Sequence, residues 1–205
     1  MTPGPLLRCP PLPELEPTPE RAAAAFAGSE ACPLRQAWRP TPEAGLRPGA
    51  VLVGRRNDTL WAFADLEDAD AFSPATRLNE RLWELGDTWE LFLEAPGAGC
   101  YVELHVAPGN QRLQLRIPIP RPAGRAPEEL MVAEPLFQSW AWKTPSGWQA
   151  LAAVPFSSIG GRPERFSFSR YDYTRGQAEP VLSSTSPHAA LDFHRREEWG
   201  RLVYS

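Results

Sequence analysis

A chain of 205 residues, 42% of them apolar, can bury a substantial core and is too apolar to stay disordered throughout. Its formal charge of −4 offers no clustered cationic footprint for nucleic acid, and Lys143 is its only lysine. Cys9, Cys32 and Cys100 fit no zinc or redox spacing, the opening residues lack a basic-then-apolar leader, and no apolar run is long enough to cross a bilayer, so reduced thiols, a cytoplasmic location and neither nucleic-acid nor membrane partners are expected. A chain whose leader had been removed would read the same way.

In chain order, residues 1–20 hold seven of the 24 prolines. Proline removes amide donors and favours extended backbone, so this stretch is either a tail or a strap over the domain. "ERAAAAFAG" (20–28) predicts a helical turn or two ending at Gly28. The expected organisation is a proline-rich extension over 1–29 and one β-sandwich domain over 30–205. "AVLVGRR" (50–56) and "TLWAFADL" (59–66) are apolar runs separated by the turn signal "ND". A long polar segment, "EDADAFSPATRLNERLWELGD" (67–87), follows them; segments of this length often carry function.

Three alternating runs come next. Trp89, Leu91 and Leu93 oppose Glu90, Phe92 and Glu94; Val102, Leu104 and Val106 oppose Tyr101, Glu103 and His105; Leu113, Leu115 and Ile117 oppose Arg112, Gln114 and Arg116. Joined by "APGAG" and "PGN", they predict an antiparallel meander alternating in phase, with its apolar residues on one buried face. Residues 129–144, 147–159, 164–173 and 200–204 continue the strand series without a sustained helical period. The expected fold class is an all-β antiparallel sandwich.

The sequence contains no GxSxG elbow, HExxH or Gly-rich phosphate loop. His188, Asp192 and His194 lie close enough along the chain to suggest metal ligands, but a hydrogen-bonded loop is the preferred reading. "DLEDAD" (65–70) lacks the glycine-centred calcium loop, and neither a metal nor a cofactor is expected. Glu90 and Glu103 fall on neighbouring strands. Glycoside hydrolysis needs two carboxyl groups about 5 to 9.5 Å apart, yet outward acids on an antiparallel sheet are usually its solvated face. The eight tryptophans say more. An indole offers an apolar face and an N–H to a sugar ring, though sandwiches also bury indoles in their cores. Trp89 has core parity, Trp83 in the polar segment is the better platform, and Trp140 and Trp142 suit either place.

Three stretches carry a family resemblance: "LNERLWELGDTWELFLEAPGAGCYVELHVAPGNQ", "VPFSSIGGRPERFSFSRYDY" and "SSTSPHAALDFHRREEWGRLVY". In their order and spacing, across about residues 30–205, the chain resembles the DOMON-like superfamily that includes the family 9 carbohydrate-binding modules. The resemblance implies a jelly-roll-like β-sandwich that clamps a sugar between aromatic rings and reads its hydroxyls with polar side chains, without catalysis. Trp83 matches the first ring, Glu90 and Arg170 match polar positions, and Trp140 or Trp142 would supply the second ring, because Thr185 stands where relatives often carry tryptophan. Haem-binding members use Met and His ligands, and Met131 is the only internal methionine here. Asp192, Phe193, His194 and Trp199 are expected to form a structural closing motif, with Phe193 and Trp199 packing while Asp192 and His194 fix the loop. A saccharide is thus the expected partner. The alternatives are a structural or protein-interaction sandwich with a degenerate sugar site and, further off, a glycoside-active enzyme or a haem-binding DOMON domain.

Overall fold

Period-two alternation becomes strand pairing in the computed structural model, which describes residues 3–205. The strands in chain order are β1 (Leu6–Cys9), β2 (Cys32–Pro33), β3 (Gly49–Arg56), β4 (Thr59–Glu67), β5 (Thr88–Glu94), β6 (Cys100–Val106), β7 (Arg112–Pro118), β8 (Gln138–Thr144), β9 (Gly147–Pro155), β10 (Arg165–Asp172), β11 (Val181–Ser184) and β12 (Gly200–Tyr204). Two short α-helices accompany them among the described residues, α1 (Pro19–Ala25) and α2 (Leu82–Leu85). One sheet runs β2-β3-β4-β9-β8 and the other β1-β12-β10-β5-β6-β7, with β11 also on β10. Strand β10 pairs first with β12, at Arg165 and Phe166, and then with β11 from Ser169 to Asp172, so one edge of it serves two partners. Among the described residues, the named strands all pair antiparallel except β1 with β12. The chain is a β-sandwich.

The two sheets meet over Trp89, Leu91, Leu93, Val102, Leu104 and Val106 from one side and Val51, Val53, Leu60, Ala62, Trp148 and Val154 from the other. The expected parities of β5 and β6 hold. That of β7 is reversed: Glu103 pairs with Leu115 and Tyr101 with Ile117, which puts Leu113, Leu115 and Ile117 on the outer face beside the acids. Alternation says which residues share a face but not which face is covered. Here the outer face is itself buried under loops, while Arg112, Gln114 and Arg116 point between the sheets at an open edge. There they donate to carbonyls of the edge-covering chain: Arg112 to Phe137, Gln114 to Val132 and Glu134, and Arg116 to Ser158.

The proline-rich opening is a strap with a strand in it. Residues Leu6–Cys9 pair in parallel with Arg201–Tyr204, and Leu7 and Cys9 enter the core. Helix α1 starts at Thr18, whose Oγ1 accepts the Arg21 N–H, with Pro19 at its first position. Its Ala22, with Phe26 just beyond it, covers the outer face of the five-stranded sheet, where Phe63 and Leu151 are buried. All three cysteines are free thiols. Among the described residues no helix is long and apolar enough to cross a membrane.

Candidate functional site

The covered outer face of the larger sheet holds a cavity of about 720 Å³. Strands β5, β6, β7 and β10 supply its floor through Glu90, Phe92, Glu103, Leu115, Ile117 and Tyr171. Trp83 and Glu84 of α2 form one wall, the chain from Arg121 to Leu130 another, and Leu191 to His194 a third. Helix α2 is held at its entrance: Arg81 forks onto both carboxylate oxygens of Glu128 at 2.6 and 3.0 Å and also reaches Glu84, while the Tyr173 hydroxyl donates to the Trp83 carbonyl at 2.7 Å. The long polar segment of the sequence thus ends as a cavity wall.

Three polar side chains meet there, Glu90 and Glu103 in the floor and the fully buried His105 behind it. Glu90 pairs across the ladder with His105, and Glu103 lies two residues before His105 on the same strand, so all three share one face. His105 Nε2 is 2.8 Å from Glu103 Oε1 and 3.2 Å from Glu90 Oε1. One imidazole nitrogen carries at most one hydrogen and cannot satisfy both acids. Burial drives the Glu90 carboxyl well above its usual range, and the neighbouring charge of Glu103 adds to the shift. Burial acts on Glu103 too, but its hydrogen bond with His105 and the charges of His105, His194 and Arg121 outweigh it and hold Glu103 low. The pair therefore favours one proton and one negative charge. Glu90 is only 2% exposed, and its Oε2 has no hydrogen-bond partner, nor has His105 Nδ1. His194 Nε2 stands 3.7 Å from Glu103 Oε2, and the Tyr101 hydroxyl lies 2.7 Å from His194 Nδ1. Trp83 meets the His105 ring edge to face, with centroids 5.4 Å apart.

Of the residues expected in a ligand site, Trp83 and Glu90 come together here and the others do not. Arg170 pairs across from Trp89, on the inter-sheet face. It is 1% exposed, and its Nη2 donates to the Glu67 carbonyl at 2.7 Å and reaches Asp68 and Asp172 at 3.1 and 3.2 Å. A guanidinium thus already pairs with two members of the acidic group Asp68, Asp87 and Asp172. Trp140 and Trp142 lie on the far side of the molecule, on the outer face of the smaller sheet, where Trp140 stacks on Trp61 at 6.0 Å. Thr185 is buried, its hydroxyl accepting the Phe168 N–H.

The closing segment does two things. Trp199 donates its indole N–H to the Phe193 carbonyl, Asp192 accepts the His194 N–H, and Glu198 gathers Arg195, His188 and the Ala189 amide. The same loop also lines the cavity with Asp192, Phe193 and His194. His105 and Tyr171 were not singled out from the sequence. The signal for His105 was present, since it shares the parity of Glu103, but its partner Glu90 is set by cross-strand register.

No protein-family model matches the sequence. No curated protein matches it either. Solved structures do match in fold. One is a candidate carbohydrate-binding protein from Bacteroides uniformis ATCC 8492, at a TM-score of 0.76 and 16% identity, over 98% of this chain and 100% of that one. Two are family 9 carbohydrate-binding modules from Caldicellulosiruptor kristjanssonii. The module in complex with cellotriose gives a TM-score of 0.63 at 11% identity, over 98% of this chain and 93% of its own. The module in complex with glucose gives 0.66 at 10%, over 98% and 95%. At these identities the likeness is one of fold.

Proposed function

We infer that this protein is a non-catalytic carbohydrate-binding module whose saccharide enters the cavity on the larger sheet. The observation that carries the reading is the pairing, in one concave site, of an indole at the rim with buried carboxylates in the floor. Trp83 offers a flat apolar face to the C–H side of a sugar ring, and Glu90, Glu103 and Asp192 offer acceptors to its hydroxyls. The fold shared with modules that bind cellotriose and glucose supports the same class of ligand. A catalytic role for the two acids has less support. Both converge on a single imidazole nitrogen instead of facing each other across a gap that a glycosidic bond could occupy.

The test is a glycan array, followed by titration with glucose and cellotriose while tryptophan fluorescence is monitored. Trp83→Ala is expected to weaken saccharide binding at least about tenfold, a loss of about 1.4 kcal/mol. It should lower unfolding stability by no more than about 1–2 kcal/mol, where a core indole such as Trp89 would cost about 3–5. A wild-type protein that retains no saccharide on the array, or a Trp83→Ala protein that binds as well as wild type, overturns the reading.

A further inference from the structure

We propose that Glu90, Glu103 and His105 form a divalent transition-metal site in the floor of the cavity, with open coordination positions facing the cavity. The three residues bring one ligand atom each to within 4.8 Å of the other two, and all three are buried. Two buried carboxyl groups and an imidazole crowd together, and a divalent cation in place of the proton that the two acids share would satisfy both at once. The Oε2 of Glu90, a residue of the cavity floor, has no hydrogen-bond partner and so is free to take a ligand.

Spacing decides which cation fits. An ion bound at about 2.0–2.2 Å by oxygen and nitrogen holds adjacent tetrahedral ligands about 3.3–3.6 Å apart. An ammonium group at about 2.8 Å from each acceptor needs them about 4.6 Å apart. The observed separations of 2.8 and 3.2 Å about His105 Nε2 are nearer to the small ion's spacing than to the ammonium's. The imidazole excludes calcium, which takes oxygen ligands, and leaves the zinc, cobalt and manganese class. Glu103 already has an outer partner of the kind such sites use, in His194 and through it Tyr101.

The experiment uses the full chain, stripped of metal with a chelator and titrated with Co²⁺. One equivalent should raise visible d–d bands that Zn²⁺ then abolishes, together with a paramagnetically shifted, exchangeable imidazole N–H signal that His105→Gln removes. Glu90→Gln, isosteric and one charge short, should weaken Co²⁺ by more than about 100-fold, beyond the 10- to 100-fold typical of outer-shell partners. Trp83→Ala should bind metal normally, which separates this site from the saccharide reading: either can fail while the other stands. Absence of bands and of a shifted imidazole signal in the wild-type protein overturns the proposal and leaves a proton-sharing triad. Unchanged Co²⁺ affinity in both Glu90→Gln and His105→Gln overturns it as well, by placing the ion elsewhere.

Discussion

Parity along a strand, read residue by residue, assigned most side chains to a face, and the exceptions are instructive. Trp89, Leu91 and Leu93 are core, as their alternation with acids predicts. Arg170 alternates with Ser169 and Tyr171 in a run that looks half polar, yet it points inward. The reason is acidic company. Asp68 and Asp172 lie within 3.2 Å of its guanidinium, and a buried charge persists where opposite charge and hydrogen bonds meet it. Arg170→Met should leave Asp68 and Asp172 without their cation and destabilise the fold by about 3–5 kcal/mol in urea unfolding. Arg170→Lys should cost less. A neutral Arg170→Met would mean that these acids are protonated in the native state.

Among the elements, β1 and β7 departed furthest from their sequence signals. Proline density disguises β1, because proline cannot donate to a ladder, yet Leu6–Cys9 is a four-residue proline-free window that pairs with β12. Its alternation places Leu7 and Cys9 inward and Leu6 and Arg8 outward. Leu7→Ala should therefore cost about 2–5 kcal/mol, the range for truncating a buried leucine, measured by denaturant unfolding. A loose tail would show no change. Strand β7 misled in the opposite sense, because its apolar side faces the cavity and its polar side serves the carbonyls at the sandwich edge.

For the whole molecule, the end of the sandwich near the base of β10 couples folding to pH. Asp87 lies there with its carboxylate accepting the Phe72 and Tyr173 amides at 2.6 and 2.8 Å. Burial, aided by the charges of Asp68 and Asp172, pushes it from 3.8 up to about 7, against the pull of those two amides. A folded value above the unfolded one means that the native state keeps a proton which the unfolded chain releases. The stability from this group is complete below about pH 4 and is lost as pH rises through about 7. Measured as the difference between wild type and Asp87→Asn, stability should fall between about pH 4 and about pH 7, by at most about 1.4 kcal/mol per pH unit. A flat or rising difference would mean that Asp87 is ionised throughout. His188, depressed by burial, works in the opposite direction: its contribution is present above its ordinary value of 6.5 and fades as pH falls, which is why the comparison needs the variant.

By itself the sequence determined the sandwich, because alternation over Trp89–Leu93 and Val102–Val106 leaves few ways to bury the apolar side, and it singled out Trp83 and Glu90. Tertiary structure alone decided what stands beside them. Which strands become neighbours, and in what register, is fixed by packing across the whole sheet, and only that register sets Glu90 against His105. The separation of Trp140 and Trp142 from the cavity by the full thickness of the sandwich follows from sheet membership, which no local run of residues encodes. The covering loops made the outer face a site: a face that alternation marks as solvated becomes a cavity when chain from 121 to 130 and from 191 to 194 closes over it.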